Sequence, residues 1–247
     1  MLDSAIRDRI QTALHLLYPP RCLGCGEMVD SDFGLCGPCW RDTPFIGGVV
    51  CDACGVPLPG LNDGHRIECD DCMRRPRPWE QGRAALLYQS GARKMVLALK
   101  HGDRQDIARP AARWMASAAR SIVQPDMVVV PVPLHWSRLL KRRYNQAALL
   151  SSAVAGVLQL DPCPDALQRR KRTGMLDHKT HDQRFDELSE AIVPHPRRQQ
   201  RLNGRPVLLI DDVMTSGATL SACAVASRKA GASDVFVLAL ARVAKGD

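Results

Sequence analysis

Eight of the ten cysteines in this chain form four Cys-x-x-Cys pairs within residues 22–72: Cys22/Cys25, Cys36/Cys39, Cys51/Cys54 and Cys69/Cys72. Two thiolates separated by two residues grip one side of a tetrahedral ion from a tight turn, and a second pair closes the shell. Four pairs therefore predict two structural zinc sites with four cysteine ligands each. Ten residues separate the first pair from the second and fourteen separate the third from the fourth, enough for a short hairpin between two knuckles. Gly26 and Gly55 follow the second cysteine of their pairs, where a knuckle needs a residue tolerant of positive φ. Sequential pairing (Cys22, Cys25, Cys36, Cys39, then Cys51, Cys54, Cys69, Cys72) closes shorter loops and is favoured over a cross-braced arrangement that skips a pair. Disulfides would need export. Residues 1–18 carry Leu2, Ile6, Ile10, Leu14 and Leu17 at helical spacing, broken by Asp3, Arg7, Asp8 and Arg9. That pattern is an amphipathic helix stopped by Pro19-Pro20, and it is not an apolar leader. Cys163 and Cys223 read as structural.

A second set of residues suited to chemistry lies far downstream. The apolar run Val207-Leu208-Leu209-Ile210 leads directly into Asp211-Asp212-Val213-Met214-Thr215-Ser216-Gly217-Ala218-Thr219. Two carboxylates at the carboxyl end of a buried strand stand where open α/β sheets bind ligands. The small-residue turn and the helix start after it offer backbone N–H groups and the hydroxyls of Thr215, Ser216 and Thr219, a cradle for a monophosphate. Acids beside such a cradle fit a sugar phosphate, with hydroxyls on the acids and phosphate on the loop.

The elements that must position these groups follow from hydrophobic periodicity. Ala84–Tyr88 reads as a strand, residues 92–100 as a helix with Met95, Val96 and Leu99 on one face, and Ala111–Val123 as a helix with Pro110 in its first turn. Met127–Val132 is a β-branched run suited to a strand buried on both faces. Tyr144–Leu158 and Ala218–Ala230 read as helices, Pro206–Ile210 and Val235–Leu240 as strands, and residues 171–186 as a polar loop. This alternation predicts a doubly wound, mostly parallel α/β sheet. The passage Met73–Trp79, with two prolines and three arginines, reads as a linker. The expected organisation is an N-terminal helix over 1–19, a zinc module over 20–75 and the α/β domain over 83–243.

At 247 residues and 45% hydrophobic content the chain holds a globular domain plus a small metal module. No run of 18 apolar residues is present, so no membrane span is expected. With the zinc thiolates, this points to the cytoplasm. The formal charge of +8 falls to about +4 once eight thiolates hold two Zn²⁺. Basic clusters stand at Arg138-Lys141-Arg142-Arg143, at Arg169–Arg172 and at Arg197-Arg198-Arg201-Arg205, suited to nucleic acid or a polyphosphate. Only eleven Phe, Trp and Tyr residues are present, which argues against an extended base-stacking groove.

The segment Val207–Thr219 closely resembles the signature of type I phosphoribosyltransferases. Val129-Val130-Pro131-Val132-Pro133-Leu134-His135, then Arg138 and Arg143-Tyr144-Asn145-Gln146, together with Leu97–Gly102 and the cysteine pairs, resemble the ComF (competence protein F) family from about Leu14 to Arg242. The resemblance implies a type I phosphoribosyltransferase-like fold behind a double zinc ribbon, and a ligand, phosphoribosyl pyrophosphate, taken with Mg²⁺. It implies that Asp211 and Asp212 hold the ribose hydroxyls and that Val213, Thr215, Ser216, Gly217, Ala218 and Thr219 hold the 5′-phosphate. Leu134, His135 and Arg138, with Lys100, would face the pyrophosphate. Between Arg172 and Arg198 the chain departs from the family pattern, and Lys179 and Arg184 stand in place of the usual contacts of the closing loop. The family's association with natural transformation implies an alternative role as a partner of single-stranded DNA and of the DNA-uptake machinery, with the fold as scaffold. No acceptor for a phosphoribosyl group is legible, and a hood built from the zinc module and residues near 80–100 would select it.

Overall fold

Hydrophobic strands that can bury both faces dictate the centre of this protein. The computed structural model describes residues 19–30, 34–61, 64–170 and 191–244, and in residues 136–142 the side chains of Arg138 and Lys141 are outside that description. The N-terminal helix expected over 1–18, and the loop over 171–186 with Lys179 and Arg184, lie outside the described residues.

The strands are β1 (Gln81–Leu87), β2 (Val128–Pro131), β3 (Asp161–Pro162), β4 (Leu167–Arg169), β5 (Ile192–Pro194), β6 (Val207–Met214) and β7 (Val235–Arg242). The described helices are α1 (Gly37–Asp42), α2 (Asp70–Arg74), α3 (Ser90–His101), α4 (Ala108–Ala119), α5 (Trp136–Arg142), α6 (Gln146–Leu158) and α7 (Ala218–Lys229). Five strands form one sheet in the order β1-β7-β6-β2-β3, with every pair parallel. An antiparallel hairpin, β4–β5, stands apart from it. Side chains alternate along each strand. Leu208, Ile210, Leu238 and Leu240 accordingly pack with Leu99, Met115 and Leu150 of α3, α4 and α6. Val207, Leu209, Val235 and Val237 face the other way, onto Leu220 and Ala224 of α7, Ile192 of the hairpin and Trp79. Helices thus lie on both faces, the doubly wound arrangement expected from the pattern.

Three local differences have physical causes. β6 does not end at Ile210 but runs on to Met214, because the longer β7 offers ladder partners up to Arg242, including Asp211↔Ala239 and Met214↔Arg242. The helix expected from Tyr144 starts at Gln146, because the Asn145 side chain accepts a hydrogen bond from the Ala147 N–H and caps it. The short elements α5, β3 and the hairpin carry too few residues to show a period.

The cysteine-rich segment folds against this sheet. The knuckle glycines behave as their position demands: Gly26 and Gly55 have φ of 81° and 72°. Gly26 N–H donates to the Cys22 carbonyl at 2.9 Å and Gly55 N–H to the Cys51 carbonyl at 2.8 Å. The first ribbon inserts Leu23 into the side of the core covered by α3, α4 and α6, and Phe45 stacks edge-on against Trp114 at 5.3 Å. The second ribbon lies on the opposite face, where Cys51, Ala53, Cys54 and Cys72 are part of the core. Gly82 N–H donates to the Asp52 carbonyl at 2.8 Å, and a methyl group on Gly82 would stand 2.5 Å from the Ala53 carbonyl oxygen. The passage expected to be a linker is packed instead. Trp79 is buried and donates its indole N–H to the Ala53 carbonyl at 2.6 Å. Among the described residues, no helix is long and apolar enough to cross a membrane.

Candidate ligand cleft and metal centres

The eight paired cysteines gather into two quartets, Cys22/Cys25/Cys36/Cys39 and Cys51/Cys54/Cys69/Cys72, each with all four sulfurs within 4.8 Å of one another. The pairing is the sequential one. A tetrahedral site with Zn–S of about 2.3 Å requires sulfurs about 3.8 Å apart. Cys25 and Cys36 stand 3.6 Å apart and Cys54 and Cys69 3.8 Å apart, so the donor sets fit zinc. Backbone N–H groups point at the sulfurs, as bound thiolates need: Cys36 N–H to Cys22 Sγ and Cys69 N–H to Cys51 Sγ, both at 3.3 Å. Cys163 and Cys223 are fully buried, and burial pushes both thiols up, as expected of packing residues rather than nucleophiles.

A cleft of about 370 Å³ opens at the carboxyl ends of the parallel strands. Asp211 and Asp212 lie at its floor, consecutive on β6 and therefore directed to opposite faces of the strand. Asp212 reaches Lys100 of α3, Oδ2 to Nζ at 3.3 Å. Asp211 accepts the Asp212 backbone N–H at 2.9 Å. Burial, reinforced by the neighbouring Asp212 charge, raises the Asp211 carboxyl well above the usual range.

The phosphate-cradle segment follows. Val213, Thr215 and Thr219 line the cleft. Ser216 Oγ accepts the Ala218 N–H at 3.4 Å, and Gly217, with φ of 81°, turns the chain into α7. The first-turn N–H groups of this 12-residue helix have no acceptor within the helix, and its dipole favours an anion there.

Val132, Pro133 and Leu134 form the facing wall. His135 is buried and caps α5, accepting the Ser137 N–H at 3.3 Å, and it does not line the cleft. Arg138 follows on α5. The residues after α5 act as clamps. Arg143 adopts a left-handed conformation and ends the helix. Tyr144 Oη donates to the Leu99 carbonyl at 2.6 Å, and Asn145 Nδ2 donates to the Val132 carbonyl at 3.0 Å. These two bonds tie the end of α3, with Lys100, to the turn after β2. Arg142 and Arg169 add positive charge to the lining, which Tyr88, Gln146 and Ala147 complete. Arg169 escaped the sequence reading as a site residue because only the β4–β5 hairpin brings it over the sheet. The acids at the floor, cations at the rim and hydroxyls at a helix start suit a ligand with more than one phosphate and a divalent cation.

Comparison with known proteins bears on the zinc module and on the chain as a whole. Residues 13–73 match the double zinc ribbon domain. The chain is 27% identical over 234 residues to the DNA utilization protein YhgH of Escherichia coli K12, covering 92% of this chain and 99% of that one. It is 26% identical over 228 residues to competence protein F of Haemophilus influenzae, covering 90% and 96%. The chain is thus similar along most of its length to competence protein F. Among solved structures, the allosteric regulatory enzyme of purine biosynthesis aligns with a TM-score of 0.40 and 14% identity. That alignment covers 58% of this chain and 30% of that one, so this chain spans less than a third of the enzyme's length.

Proposed function

We propose that the cleft of this protein binds phosphoribosyl pyrophosphate with Mg²⁺. The observation that carries the reading is one contiguous arrangement: Asp211 and Asp212 on the floor, the Thr215–Thr219 turn entering α7, and Lys100, Arg142 and Arg169 on the rim. The turn and the helix N-terminus hold the 5′-phosphate. Asp211 and Asp212 accept hydrogen bonds from the ribose hydroxyls. The rim cations and the Val132–Leu134 turn face the pyrophosphate. Mg²⁺ prefers one or two carboxylates with phosphate oxygens, which the acid pair beside a diphosphate provides. When bound, it supplies charge neutralisation on the pyrophosphate.

Transfer of the phosphoribosyl group is the reaction this arrangement supports. The C1′–O bond breaks, its electron pair leaves with pyrophosphate, and an acceptor's lone pair forms the new bond to C1′. The protein's part is to hold the ribose over Asp211 and Asp212, whose charge suits the cationic ring, and to neutralise the leaving group. Calorimetric titration of zinc-loaded protein with phosphoribosyl pyrophosphate and Mg²⁺ tests the reading. Replacing both acids, Asp211→Asn with Asp212→Asn, is expected to weaken binding by roughly 100-fold, the loss of two charge-assisted contacts. Affinity unchanged in the double variant removes these residues from the site.

A second reading, single-stranded DNA as a partner, draws on one surface. Trp136 and Leu140 of α5 are 65% and 73% exposed, and Arg143, which ends that helix, is exposed as well. An exposed indole next to cations can stack a base while the cations meet phosphates.

A further inference from the structure

Two buried arginines join the second cysteine quartet to the back of the phosphate-cradle turn. Arg77 donates from Nε to Cys72 Sγ at 3.4 Å and from Nη1 to the Ser216 carbonyl at 2.7 Å, and its side chain is 5% exposed. Arg242, at the end of β7, directs Nη2 to Cys54 Sγ at 3.7 Å. Its Nη1 donates to the Thr215 carbonyl at 2.6 Å and the Met214 carbonyl at 3.2 Å. Each guanidinium therefore has a thiolate at one end and a cradle carbonyl at the other. Gly217 sits against the same support, where a methyl group would stand 3.2 Å from both Arg77 Nη1 and the Trp79 ring. Among the described residues, the first quartet makes no hydrogen bond to this turn.

We propose that Arg77 and Arg242 are positioning residues that make the grip on the 5′-phosphate depend on zinc in the second quartet. The inference rests on the ligand reading above and names what regulates that site. Zn²⁺ with four thiolates carries a net charge of −2, which two guanidinium groups balance. Buried cations are tolerable only while paired. Without the metal the four sulfurs are no longer held in one place, so Arg242 loses the Cys54 contact and Arg77 the Cys72 contact while keeping Asp71 at 3.4 Å, and the carbonyls of Met214, Thr215 and Ser216 lose a fixed anchor. The turn then no longer presents the N–H groups of α7 in one geometry.

The test uses full-length, zinc-loaded protein and three readouts: zinc content, hydrogen exchange of the amides of 213–219, and calorimetry with ribose 5-phosphate and, separately, inorganic pyrophosphate. In Arg77→Met and Arg242→Met the expected result is two zinc ions retained, amides of 213–219 exchanging at least about tenfold faster, and ribose 5-phosphate bound roughly tenfold more weakly. Pyrophosphate affinity stays unchanged, a split that general loss of stability would not give. Arg77→Lys, which reaches one partner but not both, falls between. If either methionine variant fails to fold, the comparison of Cys69→Ser with Cys25→Ser decides instead. Losing the second site is expected to deprotect 213–219, and losing the first to leave them protected. Unaltered exchange in both arginine variants, or equal deprotection by both cysteine variants, overturns the proposal. Exchange is read without ligand, so failure of the parent protein to bind ribose 5-phosphate would reject the ligand reading alone.

Discussion

At the scale of single residues, the cleft holds an unfavourable charge that its ligand would relieve. Asp211 is raised by burial first and by the Asp212 charge second. A carboxyl whose folded value is raised binds its proton more tightly in the folded state, so stability is highest below the unfolded carboxyl range and is lost as pH rises through the folded value. Asp211→Asn, neutral throughout, is therefore expected to raise the thermal midpoint of the zinc-loaded protein. The gain should widen as pH rises above the ordinary carboxylate range, with zinc content monitored throughout. A midpoint that does not rise, or a gain that shrinks with pH, contradicts this account of Asp211. The same residue scale explains the Tyr144-Asn145 pair. Neither side chain needs to touch ligand, because each holds a carbonyl that fixes Lys100 or the β2 turn. Tyr144→Phe removes one hydrogen bond, a cost of about 1 kcal/mol. It is expected to weaken pyrophosphate binding more than ribose 5-phosphate binding in the same calorimetric assay.

At the scale of elements, the contact between the second ribbon and the sheet is a backbone-to-backbone approach. Gly82 of β1 leaves no room for a side chain beneath Ala53. Gly82→Ala is expected to destabilise the protein by about 1–3 kcal/mol through overpacking, with both zinc ions retained. Chemical denaturation with metal analysis checks this, and wild-type stability would show that the ribbon can lift from β1 without cost. The long strands and helices were legible in the sequence because their periods extend over many residues, as with Met95, Val96 and Leu99, all buried on α3. The end of β6 was not. Asp211 and Asp212 look like a strand terminus by composition, and only the length of β7 keeps them within the ladder. The passage Met73–Trp79 misled for a related reason. Its prolines and arginines have a loop's composition, and their burial depends on thiolates and carbonyls distant in sequence.

For the whole molecule, the metal module and the sheet form a continuous packed body, so zinc matters beyond residues 22–72. Chelation is expected to deprotect the amides of Gly82–Ala85 along with the ribbon. Asp52 accepts from Gly82, and Ala85 accepts from Ile46. Val207–Ile210 of β6, paired with both β2 and β7, and β7 itself should stay protected. Hydrogen exchange of zinc-free protein that leaves β1 untouched would show two independent units. Single-stranded DNA bound through the exposed Trp136 and neighbouring arginines should lose affinity steeply with salt, and Trp136→Ala should weaken it by about 1–3 kcal/mol. A flat salt titration would remove that partner. The sequence by itself determined four cysteine pairs suited to two zinc ions, the parallel sheet and the acid-rich segment before α7, because each is written in contiguous residue types whose spacing fixes local geometry, while the structure decided which pairs share a site. Only the tertiary structure decided that Arg169 overlooks the acids, that His135 caps a helix outside the cleft lining, and that Arg77 and Arg242 span from the second cysteine quartet to the turn before α7. Those relations join residues as many as 188 positions apart, and long-range packing leaves no periodic trace in a chain.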